Sequence, residues 1–449
     1  MFNSTSLYCI RDEFETLTYQ NLLDETIDFE WKFGEIPKNS CICIEGQNNL
    51  LFVRFLIHCL LTKRSLFISS VNSIKNLLPS FCNYKIELFK DSKGVNVTFE
   101  PINIDLNTTL SGEALYLSTS GTTGDPKYIC FNYNYLLQNA LLCKERFGIC
   151  SGTRVLLCVP IYHMYGLGAG LLPSLLANAN IVLVDNYKFL KFIEELQTFN
   201  PEIVFISPTQ ARLLVKLNKT FGRLTFVCAG GKLSEEEYTS FNEQVGELII
   251  LYGCSELGGI ATSIVTDDLA LKRIGALFPL SGVEIFFQGQ NGNEIYCKHP
   301  APFRGYVDKL GISQYVFNES DTYKTQDIGV QLENRRFKVE GRKSNILNRS
   351  GFTISIEELE FFFSDNCNNV QYVILFEISN SDRIVSDLVL VYSVIEGVDD
   401  IELVEEEVQV VSNRLPKHFR PSKIVRKESL PINGSGKIDR QKLINSFNQ

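Results

Sequence analysis

The sequence predicts an α/β fold in which a large N-terminal domain of helix-covered, mostly parallel sheets is followed by a small C-terminal α+β domain. Two patterns carry that reading. As far as Arg342, short β-branched runs alternate with amphipathic stretches, the mark of parallel strands joined by crossover helices. After Arg342 the texture changes to longer strands and strongly amphipathic helices. A chain of 449 residues also exceeds what one hydrophobic core organises, so two or three domains are expected.

Strands are predicted at Cys41 to Glu45, Leu66 to Ser69, Ala114 to Leu117, Arg154 to Val159, Ile181 to Val184, Ile203 to Ser207, Thr225 to Ala229 and Leu248 to Tyr252. Helix starts are visible between them. Ser207-Pro208 supplies an N-cap and a first-turn proline, and Ser234 with Glu237 forms a capping box. The apolar run Leu50 to Leu61 reads as a buried helix, since it contains Arg54 and His58 and is too short to span a bilayer. In the C-terminal part, Ser355-Ile356-Glu357-Glu358 caps a helix through about Phe363, and strands follow at Tyr372 to Ile378 and Leu388 to Val394. A further helix sets Ile401, Val404, Val408, Val411 and Leu415 on one face and Glu402, Glu405 and Glu406 on the other.

Composition narrows the function. A net charge of −9 leaves no clustered Lys and Arg for phosphate backbones, which argues against a nucleic-acid partner. Met1 to Phe14 has no basic region followed by an apolar core, so neither a secretory signal nor stable membrane insertion is expected. The 13 cysteines are scattered without a Cys-x-x-Cys pair and mostly inside apolar runs, which fits reduced thiols and a cytoplasmic location. With 4 histidines, none spaced as a ligand pair, a zinc site is not expected. Gly253-Cys254-Ser255-Glu256-Leu257 lacks the closing glycine of a hydrolase elbow.

The chemistry concentrates first in Leu117-Ser118-Thr119-Ser120-Gly121-Thr122-Thr123-Gly124-Asp125-Pro126-Lys127, which follows a predicted strand. Its glycines let the backbone approach an anion, its N–H groups and hydroxyls donate, and Lys127 neutralises charge, so the loop suits a polyphosphate. Lys127 follows proline and no Walker A pattern is present, which excludes a P-loop NTPase. Downstream stand Tyr252-Gly253-Cys254-Ser255-Glu256, Tyr323-Lys324-Thr325-Gln326-Asp327, Gly341-Arg342 and Pro431-Ile432-Asn433-Gly434-Ser435-Gly436-Lys437-Ile438-Asp439-Arg440.

In this order the motifs resemble the adenylate-forming (AMP-binding) superfamily of acyl-CoA synthetases, acyl-AMP ligases, peptide-synthetase adenylation domains and luciferases. The resemblance runs from residue 117 to residue 440. It implies ATP-dependent activation of a carboxylic acid to an acyl-adenylate, then acyl transfer to the thiol of coenzyme A or of a carrier-protein phosphopantetheine. It also implies roles. Thr119, Ser120, Gly121, Thr122, Thr123, Gly124 and Lys127 would hold the β- and γ-phosphates of ATP, and Thr119 and Glu256 would hold Mg²⁺. Tyr252 would stack on adenine beside Gly230, Gly231 and Gly253, and Ser255 would contact the α-phosphate. Asp327, assisted by Arg342, would accept the ribose hydroxyls. Lys437 would bridge the acyl oxygen and the α-phosphate, and His163 would gate between the ATP and acyl sites.

The resemblance further implies an AMP-binding domain over 1–343 with an abbreviated front of about 1–110, a mobile C-terminal domain over 345–449, and a hinge near Ser344. The chain departs from the family pattern at three positions besides its short front: Tyr128 and Gln326 stand where glycine is usual, and Ser344 where Asp or Lys is common. The segment Ile161 to Leu167 has no acidic residue to pair with a substrate ammonium, so a fatty or aromatic acid is expected before an amino acid. A stand-alone adenylation enzyme for an amino acid and a catalytically idle adenylate-binding protein are the alternatives. Partners would be the acid and an acyl or peptidyl carrier protein.

Overall fold

Parallel strands and crossover helices build the front of the molecule as the sequence pattern requires. The structure is a computed structural model that describes residues 8–32, 36–69, 78–91, 94–102, 113–118, 128–185, 188–217, 219–221, 224–264, 271, 275–289, 293–308, 310–314, 316–317, 321–349, 352–378, 387–395, 397–398, 400–432 and 438–447. By internal contacts the chain divides into two units. Residues 1–286, 296–325 and 331–338 form the first, and residues 287–295, 326–330 and 339–449 the second. The division cuts the strands of a four-stranded sheet, ordered Glu284–Gln288, Glu294–Lys298, Tyr323–Gln331 and Phe337–Arg342.

The first unit contains two large sheets. A nine-stranded sheet runs in spatial order Phe278–Pro279, Gly258–Thr262, Glu247–Cys254, Thr225–Cys228, Ile203–Ile206, Arg154–Leu157, Asn180–Leu183, Cys9–Arg11 and Thr16–Thr18. From Glu247–Cys254 to Cys9–Arg11 its pairs are parallel, and both edges are antiparallel. An eight-stranded sheet runs Ser313–Gln314, Gly305–Val307, Tyr128–Asn132, Ala114–Ser118, Ser65–Ser69, Cys41–Glu45, Tyr84–Asp91 and Gly94–Pro101.

Local chemistry fixes the helix starts. Ser207 accepts from the Gln210 N–H and Gln210 reaches back to the Ser207 N–H, a reciprocal cap with Pro208 in the first turn. Ser234 and Glu237 form the same device ahead of the helix Glu235–Gln244. The apolar run becomes the helix Leu50–Thr62, capped by Asn49. Arg54 lies inside it with 1% of its surface exposed and forms ion pairs with Glu15 and Glu25. Those pairs make a buried guanidinium tolerable, since an unpaired charge there would be strongly destabilising.

In the second unit the strands Val370–Ile378 and Asp387–Val394 pair antiparallel, and Lys423–Arg426 adds in parallel. The helix Ile401–Arg414 buries Val404, Val408 and Val411 and exposes Glu402, Glu405 and Glu406, the faces that its period predicts. The helix Ile356–Asn366 begins directly after Ser355, whose side chain lies outside the described residues. All 13 cysteines are free thiols, as expected. Among the described residues no helix is long and apolar enough to cross a membrane.

Candidate active site

The carboxyl ends of the central parallel strands line up, because Ile206, Cys228 and Ile250 are register partners across three strands. Beyond Cys228 the chain turns at Gly230, whose φ of 90° is left-handed and favours glycine. A Cβ on Gly231 would sit 3.2 Å from Pro208 Cγ, so this crossing packs against the start of the preceding helix.

The third strand does not end there. Tyr252 and Gly253 were expected at the carboxyl end of a strand running from Leu248 to Tyr252, but the strand continues to Cys254 by pairing antiparallel with Gly258–Thr262, and its register shifts between Tyr252 and Gly253. Gly253 is required at that shift, since a Cβ would lie 2.2 Å from the Gly258 carbonyl oxygen. Tyr252 is half-buried, with its ring edge-on to Phe337 at 5.9 Å.

Ser255 and Glu256 occupy the turn between these antiparallel strands, Ser255 exposed and Glu256 half-buried. The Glu256 carbonyl accepts the Phe303 N–H at 3.1 Å, and its carboxylate accepts the Tyr306 hydroxyl at 2.7 Å. Cys254, beside it, carries a thiol pushed well above its usual pKa by burial and by the Glu256 carboxylate, which makes it a wall of the site rather than a thiolate nucleophile.

Beneath the turn lies a buried polar knot. Asn139 donates to the Leu257 carbonyl at 2.6 Å. His299 Nδ1 accepts from the Ala301 N–H at 3.0 Å, so its Nε2 carries the proton and donates to the Gly259 carbonyl at 3.0 Å. Burial lowers the His299 pKa to about 4 from 6.5, holding the ring neutral. In the unfolded chain it takes up a proton first as the pH falls, so its contribution to stability is complete above pH 6.5 and is lost towards pH 4. Between pH 7 and 4.5 the parent should therefore lose about 2–3 kcal/mol more than His299→Gln. Chemical denaturation of both proteins at the two pH values checks this; equal losses would mean that His299 titrates normally.

His163 follows the strand Arg154–Leu157, which ends two residues before the predicted Val159. The reason is local. The Asn48 side chain donates to the Val159 and Val184 carbonyls and accepts the Ile161 N–H at 2.9 Å, and Pro160 has no N–H to give a ladder. Tyr162 is pressed against Gly46, where a Cβ would lie 2.2 Å from its own Cβ. His163 is half-buried beside the Tyr162 ring at 4.8 Å. From Tyr165 to Leu171 the chain forms a π-helix, a distortion that often accompanies functional sites.

In the second unit Asp327 is 7% exposed and pairs with Arg342 Nε at 3.1 Å. Gln326, where glycine is usual, holds a left-handed φ of 67°, which explains that preference and leaves local strain here. The loop Thr119 to Lys127 and the lysine Lys437 lie outside the described residues, although the stems on either side are placed. Ser118 ends a strand and Tyr128 begins its antiparallel neighbour, to which it pairs directly. Ile432 bridges Ile438. Asn139, His299, Phe303 and Tyr306 were not expected at the site from the sequence.

A magnesium ion suits the described residues. Mg²⁺ is usually bound through one or two protein carboxylates together with substrate phosphates and water, and Glu256 offers one carboxylate on a fixed turn. Among the described residues no group of three or more His, Cys, Asp or Glu could cage a metal alone.

Comparison with known proteins agrees with this geometry. Residues 104–307 match the family of the AMP-binding enzyme. The 2-succinylbenzoate–CoA ligase of Listeria monocytogenes is 25% identical over 91% of this chain and 89% of its own. The D-alanine–D-alanyl carrier protein ligase of Staphylococcus aureus is 23% identical over 84% of this chain and 81% of its own. Among solved structures, the Bacillus subtilis O-succinylbenzoate coenzyme A synthetase in complex with ATP and magnesium superposes with a TM-score of 0.77 at 19% identity, covering 98% of this chain and 97% of that one. The family match spans both the phosphate loop and the Tyr252 to Glu256 turn, so residues 104–307 carry an AMP-binding enzyme domain.

Proposed function

We propose that this protein is an AMP-forming acid–thiol ligase. A carboxylate oxygen of the acid attacks the α-phosphorus of ATP, the bond to the bridging oxygen breaks, and pyrophosphate leaves. A thiol sulfur of coenzyme A or a carrier-protein phosphopantetheine then attacks the acyl carbon, its proton is lost, and AMP leaves. The observation that carries this reading is Glu256, whose main-chain carbonyl is held by the Phe303 N–H and whose carboxylate is held by the Tyr306 hydroxyl, next to Ser255 and three residues past the glycine at the register shift.

Both reactants of the first step are anions, so the site needs cations and donors more than a base. In this reading Thr119 to Lys127 donates to the β- and γ-phosphates, Ser255 to the α-phosphate, and Lys437 meets the charge that develops between acyl oxygen and phosphorus. Tyr252 stacks on adenine beside Gly230 and Gly231, and Asp327 accepts the ribose hydroxyls with Arg342 holding its carboxylate. Bound magnesium, held by Glu256 and Thr119, would neutralise phosphate charge. His163 stands between the ATP and acyl sites, where the Ile161 to Leu167 segment offers no acidic partner for an ammonium, which favours a fatty or aromatic acid. The likeness to a D-alanine–D-alanyl carrier protein ligase favours an amino acid instead.

Incubation with ATP, Mg²⁺ and a panel of acids, with hydroxylamine trapping, tests activation and chain class together. Release of pyrophosphate with no acid of the panel, fatty, aromatic or amino, would overturn the reading. Coenzyme A or a holo carrier protein, added next, identifies the acceptor.

The hinge belongs to the same proposal. Lys437 serves the first step and must leave before a thiol arrives, so the C-terminal domain turns near Ser344, in the short 3₁₀ turn Lys343–Asn345. Proline fixes φ and removes a donor, so Ser344→Pro should keep adenylation and lower thioester formation about tenfold or more. Both half-reactions within about twofold of the parent would place the hinge elsewhere.

A further inference from the structure

We propose that Tyr306 is a positioning residue for the Glu256 carboxylate and that Tyr323 orients Tyr306, so that a two-tyrosine relay sets the divalent-cation response of nucleotide binding. The inference rests on the reading of Glu256 as the metal-holding carboxylate.

The geometry gives the relay a direction. The Tyr306 hydroxyl donates to Glu256 Oε1 at 2.7 Å and lies 2.9 Å from the Tyr323 hydroxyl. A phenol has one proton to give, and that of Tyr306 is committed to the carboxylate. Tyr323 is therefore the donor in the second bond, and the chain runs from Tyr323 to Tyr306 to Glu256. Each bond polarises the next, and the last one ends on a charge.

Packing holds the two phenols in place. Phe303 sits against both rings, at 5.2 Å from Tyr306 and 5.4 Å from Tyr323, each edge-on. The same residue donates its N–H to the Glu256 carbonyl. Two residues earlier the Ala301 N–H bonds to His299, and Tyr306 itself lies in the strand Gly305–Val307, paired to Tyr128–Asn132. The segment from His299 to Tyr306 thus grips the turn by its main chain and by its carboxylate. A donor on one carboxylate oxygen restricts the rotation of the group, which leaves the other oxygen with a fixed aim; outer contacts of this kind commonly change metal affinity by about tenfold or more when removed.

The test is ATP binding by calorimetry on the full chain, titrated with Mg²⁺ and repeated in EDTA. Tyr306→Phe removes one oxygen and keeps the ring packing. It should raise the Mg²⁺ concentration for half-maximal enhancement of ATP binding about tenfold, while affinity in EDTA stays within about twofold. Tyr323→Phe should move it in the same direction by less, and the double variant should match Tyr306→Phe, because Tyr323 acts through Tyr306. An unchanged Mg²⁺ requirement in Tyr306→Phe, an equal loss with and without the metal, or additive effects of the two substitutions would overturn the relay. Glu256→Gln separates the levels. If it abolishes the Mg²⁺ response while Tyr306→Phe leaves it intact, only the relay falls; if Glu256→Gln keeps the parental response, the metal reading of Glu256 falls as well.

Discussion

Replacing Lys437 with alanine is expected to slow acyl-adenylate formation about 10²–10³-fold while ATP binding changes by less than about twofold. In the proposed function the lysine would meet charge that grows only as the acid oxygen closes on the α-phosphorus, and interactions confined to that moment govern rate rather than affinity. The loop that carries it is well anchored at its stems. Ile432 bridges Ile438, the Asp439 N–H donates to the Pro431 carbonyl at 2.7 Å, and Asp439 caps the helix Arg440–Asn445. Arg440 pairs with Glu360, whose other oxygen accepts the Leu375 N–H at 2.7 Å. None of these contacts uses the Lys437 side chain, so its truncation should leave the fold intact. Pyrophosphate exchange near the parental rate would remove Lys437 from the chemistry.

Much of the scaffold was legible because the signals are local. Ser207 with Pro208 and Ser234 with Glu237 mark helix starts within four residues, and the β-branched runs mark the central strands. The edges were not legible. Cys9–Arg11 and Thr16–Thr18 have three residues each, too few for a period to show, and Cys9–Arg11 joins the sheet by pairing with the Asn180–Leu183 strand far along the chain. The site divides in the same way. Charged and glycine-rich motifs declare themselves in sequence, whereas the groups that hold them do not. Tyr306 lies 50 residues from Glu256, and Asn139 lies 118 residues from the Leu257 carbonyl to which it donates. A lone asparagine or histidine in an apolar run carries no pattern, and its role exists only once tertiary packing brings a backbone carbonyl to it.

Asp327→Ala is expected to weaken ATP binding at least tenfold. A carboxylate that accepts two ribose hydroxyls makes charge-assisted hydrogen bonds of roughly 1.5–3 kcal/mol each, and each factor of ten in affinity is about 1.4 kcal/mol. The surroundings of this carboxylate suit the proposed role. It is 7% exposed, and Arg342 Nε lies 3.1 Å from Oδ1. The arginine side chain is itself 53% exposed, so after the substitution it regains water instead of being left as a buried charge. The cost should thus fall on nucleotide binding and spare the fold. Asp327→Asn provides the control for shape, since it keeps the volume and one acceptor oxygen but loses the charge, and it should bind ATP with intermediate strength. Calorimetric titration of both variants with ATP, beside a thermal melt of each, decides the matter. An unchanged dissociation constant in a folded Asp327→Ala protein would mean that this strand, strained at Gln326, presents its aspartate for a structural reason and that the ribose is held elsewhere.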